Sequence, residues 1–230
     1  MLSTKDVKTG GDGGTPKTIT PGNHTLKINA IELKQFPFME KDNAYFINLN
    51  VETKPIDGFE GFWINKDDES LGRHDGQVGT VKSTRWFYKD GETKSGTPIS
   101  RDTEILKFVK NLCNEVGCDA WFKKADDQYE TIEEFVNGFN SDKPFTDKWL
   151  DCCVAGKEYH KSNGYIGYDM YFAKYSKGVK GFASEGSTNV HNYNEEEFLI
   201  KAEAPAKVEG FGGEEAPLMD KVANAPEFDL

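Results

Sequence analysis

Between Lys82 and Lys89, three cations (Lys82, Arg85, Lys89) interleave with three consecutive aromatic residues, Trp86, Phe87 and Tyr88. That mixture suits one kind of ligand, an unpaired nucleic-acid strand. Cations neutralise its phosphates, and flat rings stack on its bases. A stacked base contributes roughly 1–3 kcal/mol, and every base has a π-face, so such a site need not read sequence. The competing reading is a β-ribbon whose Trp86 and Tyr88 simply pack on the domain.

No catalytic constellation stands beside this cluster. The chain lacks a P-loop, a nucleophile elbow and a His-Glu-x-x-His pair, and its four histidines are scattered. Asp67-Asp68 and Asp126-Asp127 fall in polar stretches that read as solvated loops. Cys113, Cys118, Cys152 and Cys153 have poor spacing for zinc, because adjacent cysteines on a strand point to opposite faces. Reduced, buried thiols are the expectation. No enzyme, cofactor or metal is expected.

The elements that must position the cluster read as a small barrel. From His24 to Leu33, Leu26 and Ile28 alternate with polar residues; the phase then slips and Ile31 and Leu33 take over. One extra residue in a strand is a β-bulge, which lets a long strand bend. Tyr45 to Val51 is a second strand with Tyr45, Ile47, Leu49 and Val51 on one face. Phe59 to Ile64, after the Asp57-Gly58 turn, reads as the third. Residues 65–147 read as an insertion. Its first helix carries Ile105, Val109, Leu112 and Val116, starts at Ser100 or Asp102 and stops at Gly117. A second helix starts in a Thr131-to-Glu134 capping box. Strands return from Lys148 to Tyr159 and from Tyr165 to Tyr175, about a Ser162-Asn163-Gly164 turn. Three strands, a helical insertion between strands 3 and 4, and two more strands make a mainly β chain with inserted helices. That order is the order of a five-stranded antiparallel oligonucleotide-binding (OB) barrel.

Several rings fall out of phase with the apolar face of their strand: Phe46, Trp63, Tyr165 and Tyr171. On such a barrel they stand where bases would stack, unless the inserted helices cover that face. Lys157, Tyr159, His160 and Lys161 lead into the last hairpin turn, as a backbone clamp or as ordinary solvated residues.

Charge divides the chain. From Glu185 to Leu230 there are eleven acids against three lysines, out of a formal net charge of −11 for the whole. Residues 21–184 form the expected barrel domain, with residues 1–20 as a Gly-rich flexible arm and 185–230 as an acidic flexible tail. The tail ends Glu227-Phe228-Asp229-Leu230, an apolar tip among carboxylates. It reads as a docking peptide and a competitor for a basic groove, or as a plain solubilising tail. No segment approaches the roughly 18 apolar residues of a membrane span.

The order of these pieces resembles the bacteriophage single-stranded DNA-binding proteins, including those of tailed and crAss-like phages. The likeness covers nearly the whole chain. It rests on the Pro-Gly-x-His-x-x-Lys-Ile opening, the Tyr45–Val51 and Phe59–Ile64 strands, Gly-x-Glu-Tyr at 156–159 with Tyr165–Phe172, and the acidic tail. The resemblance implies an OB fold that coats single strands in phage replication and recombination, in the cytoplasm of an infected bacterium. It also implies a tail whose last aromatic, here Phe228, recruits replication or recombination proteins; this tail ends in Leu230 rather than Phe. The resulting expectation is a sequence-independent binder of single-stranded DNA, with room for a homodimer. The alternative is an OB-fold adaptor of a replication or recombination complex with little affinity for DNA.

Overall fold

The computed structural model describes residues 18–59, 61–64, 71–83, 87–162 and 164–203; the side chains of 62–64, 71 and 72 fall outside the description. The N-terminal seventeen residues and 204–230, with Glu227, Phe228, Asp229 and Leu230, lie outside the described residues, as do Arg85 and Trp86.

The elements run β1 (Gly22–Lys34), α1 (Pro37–Glu40), β2 (Phe46–Thr53), β3 (Gly61–Ile64), β4 (Leu71–His74), β5 (Val78–Lys82), β6 (Gly91–Glu92) and β7 (Pro98–Ile99). They continue with α2 (Arg101–Val116), α3 (Asp119–Lys124), α4 (Ile132–Asp142), β8 (Trp149–His160), β9 (Ile166–Phe172), β10 (Phe182–Ser184), α5 (Glu195–Phe198) and β11 (Leu199–Ile200). Five strands close on themselves in the order β1-β2-β5-β9-β8 and back to β1. The pairs are antiparallel except β5 with β9, which run parallel. The result is a mainly β chain built on a closed five-strand barrel, compatible with an OB-like barrel.

β1 serves two neighbours. Its first half pairs with β8 and its second with β2, and the register slips between Ile28 and Ala30. Asn29 is thus the extra residue of the expected bulge, and the side chains inside switch from Leu26 and Ile28 to Ile31. Beyond Lys27 the edge facing away from β2 has lost β8. Asn140 of α4 takes over there: its Nδ2 donates to Ile31 O at 2.6 Å and its Oδ1 accepts from Ile31 N at 2.9 Å. One side-chain amide stands in for a missing strand.

The barrel's third strand is not the expected one. Among the described residues β3 pairs only with β4, in a separate two-stranded ribbon, and Val78–Lys82 takes its place beside β2. Two local facts hold the ribbon apart. Gly61 lies against the buried His74 imidazole so closely that a Cβ there would fall 1.9 Å from the ring. His74 Nδ1 in turn hydrogen-bonds the Gly76 carbonyl at 2.7 Å. The 65–147 boundary of the insertion therefore moves, because β5 inside it belongs to the barrel, with Val81 fully buried.

Helices follow β7. Ser100 Oγ accepts from Thr103 N, and Gly117 ends α2 in the left-handed region (φ 67°). Thr131 and Glu134 complete the capping box of α4. Ile105, Val109, Leu112 and Val116 join Ile132, Phe135, Val136 and Phe139 in one core with the inward side chains of the strands. Among the described residues no helix is long and apolar enough to cross a membrane.

Order also extends further at both ends than the 21–184 boundaries. Ile19 is buried, and its N–H donates to Val78 O at 3.0 Å. Residues 185–203 are folded back on the barrel: β11 runs parallel to β8 at Gly156–Lys157, and Asn23 donates to His191 O while accepting from Tyr193 N. This strap explains why β8 buries both faces, Leu150, Cys152 and Val154 on one and Cys153 and Ala155 on the other. All four cysteines are free and buried.

Two outcomes follow for stability. Asn140→Ala leaves the Ile31 N–H and C=O without partners, and each unmet buried group costs about 1–3 kcal/mol. The urea midpoint should fall with unchanged slope; an unshifted midpoint would show that the amide adds nothing. His24 gives the second. Burial holds its imidazole below the usual 6.5, despite a hydrogen bond to Thr20 O. The unfolded ring accepts a proton that the folded ring resists, so its contribution is complete above about pH 6.5 and fades as pH falls through that value. His24→Gln should flatten the loss of stability as pH falls below about 6.5.

Candidate functional site

The connection between β1 and β2 presents a stack of rings. Phe36 and Phe38 flank Pro37, and both are exposed, at 43% and 59%. Phe38 lies on Phe36 (centroids 5.5 Å apart, planes 10°) and Phe36 on Phe46 (4.9 Å, 20°). Proline fixes this arrangement. It holds Phe36 extended (φ −93°, ψ 155°) and opens α1 at its first position. Met39 is buried beneath with Ala44 and Phe46, and Gln35 Nε2 donates to Ala44 O at 2.9 Å. The base of the stack is thus pinned while its outer rings stay wet.

Lys82 at the end of β5 completes the platform. Its ammonium stands 5.0 Å from the Phe46 ring centre and 5.5 Å from that of Phe36, and 2.7 Å from Asp169 Oδ1 on β9. A cation over a ring face gains about 0.5–1 kcal/mol at exposed sites. Tyr88 bridges to Tyr45 through two backbone hydrogen bonds of 2.6 and 2.9 Å. Lys82 and Tyr88 thus meet the Phe36–Phe38 corner and the start of β2. Burial pushes the Tyr45 and Tyr88 phenols up, so both are neutral at physiological pH. Phe87 is exposed with Lys89 over its ring at 5.9 Å.

A second exposed group forms at the β8–β9 hairpin. Tyr165 is 72% exposed, and Tyr159, Lys157 and Lys161 are also open to solvent. Tyr159 faces Gly167 across the ladder. The Tyr159 ring and the Lys161 stem both lie over Gly167, where a Cβ would come within 2.5 and 2.7 Å of them. A glycine opposite the tyrosine gives the ring a flat floor.

Two candidate rings carry a different assignment. Phe46 is 8% exposed because α1 folds over the start of β2, so it is the buried base of the stack. Tyr171 is 7% exposed, held between Ala155 of β8 and Lys82 of β5 in the middle of the sheet. Neither offers a free face. Tyr88 is half-buried against the main core, which suits the packing reading for that ring. The Trp63 backbone belongs to the β3–β4 ribbon rather than the barrel, and its indole lies outside the described residues. Arg85 and Trp86 lie outside them altogether.

Sequence reasoning missed Phe36 and Phe38. The available signal was Phe-Pro-Phe directly after a strand, large apolar side chains in a turn that no periodic face could absorb. Elsewhere on the outer face of β1, β2 and β5 the cations are already matched by acids. Lys27 pairs with Glu52 at 3.0 Å and Lys34 with Glu32 at 3.0 Å. Among the described residues of β1, β2 and β5 that face carries no ring comparable to the Phe36–Phe38 corner; Asn50 there donates to Glu32 Oε1 and accepts from Thr80 Oγ1. Comparison with family models, curated proteins and solved structures returned no match.

Proposed function

We propose that this chain is a non-enzymatic, sequence-tolerant binder of single-stranded nucleic acid, built on an OB fold. The observation that carries the reading is the Phe38–Phe36–Phe46 stack with the Lys82 ammonium over it, on the connection between the first two barrel strands. OB barrels bind oligonucleotides with the strand 2–3 face and with the loops after strands 1 and 4. Here the loop after the first barrel strand carries Phe36 and Phe38, and the loop after the fourth follows Tyr159 and carries Lys161 and Tyr165. Two parallel exposed rings at one loop, and a tyrosine pair with two lysines at the other, give a strand two places to stack and nearby charge for its phosphates.

Stacking is the larger part of this proposal. Lys82 is tied to Asp169, so the barrel offers fewer unspent cations than its lysine content suggests. Acting on phage DNA in replication or recombination, with a tail that recruits partner proteins, belongs to the same proposal through the family resemblance. In that reading residues 204–230, with six acids against two lysines, compete with the nucleic acid for its surface.

Two measurements test it. Phe36→Ala with Phe38→Ala should weaken binding of an oligo-dT by about 1–3 kcal/mol per stacked base, and Phe38→Ala alone, at the more exposed ring, should do so with the melting temperature unchanged. Unaltered affinity would leave the stack without a role, and no affinity in the wild type at low salt would favour the adaptor. Truncation after Glu203, which keeps the β11 strap, should tighten binding, with affinity falling as salt rises. Equal or weaker affinity removes tail competition. Truncation after Ser184 is the wrong cut, because it strips β8 of its cover.

A further inference from the structure

Lys82 ends β5 and Ser83 follows it, its N–H still donating to Ile47 O at 2.9 Å, so their side chains point to opposite faces. Lys82 faces the ring stack. Ser83 faces a cavity of about 480 Å³ at the barrel mouth, between α2 and the β9–β10 segment. The space is of the size of small-ligand sites, and barrel mouths are a common place for them.

Its walls are chemically uneven. Phe108 of α2 and Phe182 of β10 meet edge to face at 5.8 Å, and Phe172 closes the floor at 5.0 Å from Phe182. Asn111 and Asn114, one helical turn apart on α2, bring two exposed amides to the opening. The Ser83 hydroxyl is more than nine-tenths buried and makes no well-formed hydrogen bond. Its polar neighbour is the Tyr88 phenol, a side-chain hydrogen-bond partner held outside ideal geometry. A ligand that meets this poorly satisfied buried hydroxyl with better geometry has a specific reward. Glu115, by contrast, is spent: it holds Lys180 and accepts from Ser184 N and Oγ.

The lip is a tight turn. Ser176 and Val179 exchange backbone hydrogen bonds of 3.0 and 2.9 Å, with Lys177 and Gly178 at positive φ (50° and 85°) between them. Such a two-residue hairpin holds its flanks rigidly. Those flanks bring Tyr175, exposed, and Lys174 to the cavity edge, with Lys177 at the tip.

We propose that this cavity receives a single unstacked nucleobase, with its ring against Phe108 and Phe182, its polar edge read by Asn111, Asn114 and Ser83, and its phosphate beside the lysine turn. Aromatic walls with amide edges are how proteins hold splayed-out bases, and an asparagine amide supplies both a donor and an acceptor. The inference rests on the single-strand reading above and adds to it a second base site on the opposite face of the same strand end.

The full chain is titrated with the four deoxynucleoside monophosphates and, separately, with inorganic phosphate, while backbone amide shifts are followed. Saturating shifts at Ser83, Asn111, Asn114 and Phe182 with at least one nucleotide, but not with phosphate, are expected. Asn111→Leu with Asn114→Leu, surface changes that leave the core intact, should weaken that nucleotide about tenfold or more. They should also remove the penalty of placing one abasic unit in a bound oligo-dT. Shifts that are absent, that phosphate alone reproduces, or that survive the double substitution unchanged overturn the site. So does a peptide of residues 220–230 that saturates the same amides when nucleotides do not, because the cavity then takes a protein aromatic. Nucleotide shifts without any oligo-dT binding would instead sink the single-strand reading and leave a mononucleotide pocket.

Discussion

A single strand of thirteen residues has to pair with two different neighbours, and the rest of the barrel depends on its doing so. A straight strand cannot leave β8 and continue along β2 with the same side chains inside. The extra residue at Asn29 resolves the conflict by exchanging one apolar series for the other. The bend frees the outer edge of Ile31, and Asn140 of α4 occupies it. Helix α4 is thereby tied to the strand by hydrogen bonds as well as by Val136 and Phe139 in the core. A backbone irregularity and a helix position are parts of one solution.

Where the barrel closes, its surface becomes specialised. The closing pair of β5 and β9 meets at Lys82 and Tyr171. Short parallel contact ends there, so Lys82 looks outward to the phenylalanine stack while Ser83 turns toward the mouth beneath α2. The same contact seals Tyr171 in the sheet. Rings that could have formed a band across the barrel are thus displaced to its ends, at the Phe36–Phe38 corner and at the Tyr159–Tyr165 hairpin. The middle of the outer face is left to Asn50, Thr80 and acid-matched lysines.

Charge follows the same division. A net −11 belongs mostly to residues after Ser184, yet part of that segment is structural: Glu195 and its neighbours lie on the strap that covers β8. A strap that is both anionic and packed keeps negative charge near the barrel, while Lys161 and Lys177 remain exposed elsewhere on it.

What the sequence by itself determined were features encoded within a few residues. The caps at Ser100, Gly117 and Thr131, the inward series Ile47, Leu49 and Val51, and the bulge in β1 are all legible because period and capping chemistry are local. Only the tertiary structure decided which segment became the third barrel strand, since Val78–Lys82 and Phe59–Ile64 offer similar local patterns and differ in what lies across from them. It also decided which rings stay wet. Alternation says that Phe46 and Ile47 face opposite ways, but whether the second face meets water depends on a chain that folds over it. For Phe46 that chain is Phe36 to Met39, and for β8 it is the strap at Leu199. Exposure is set by contacts between residues distant in sequence, and spacing along one strand carries no information about them.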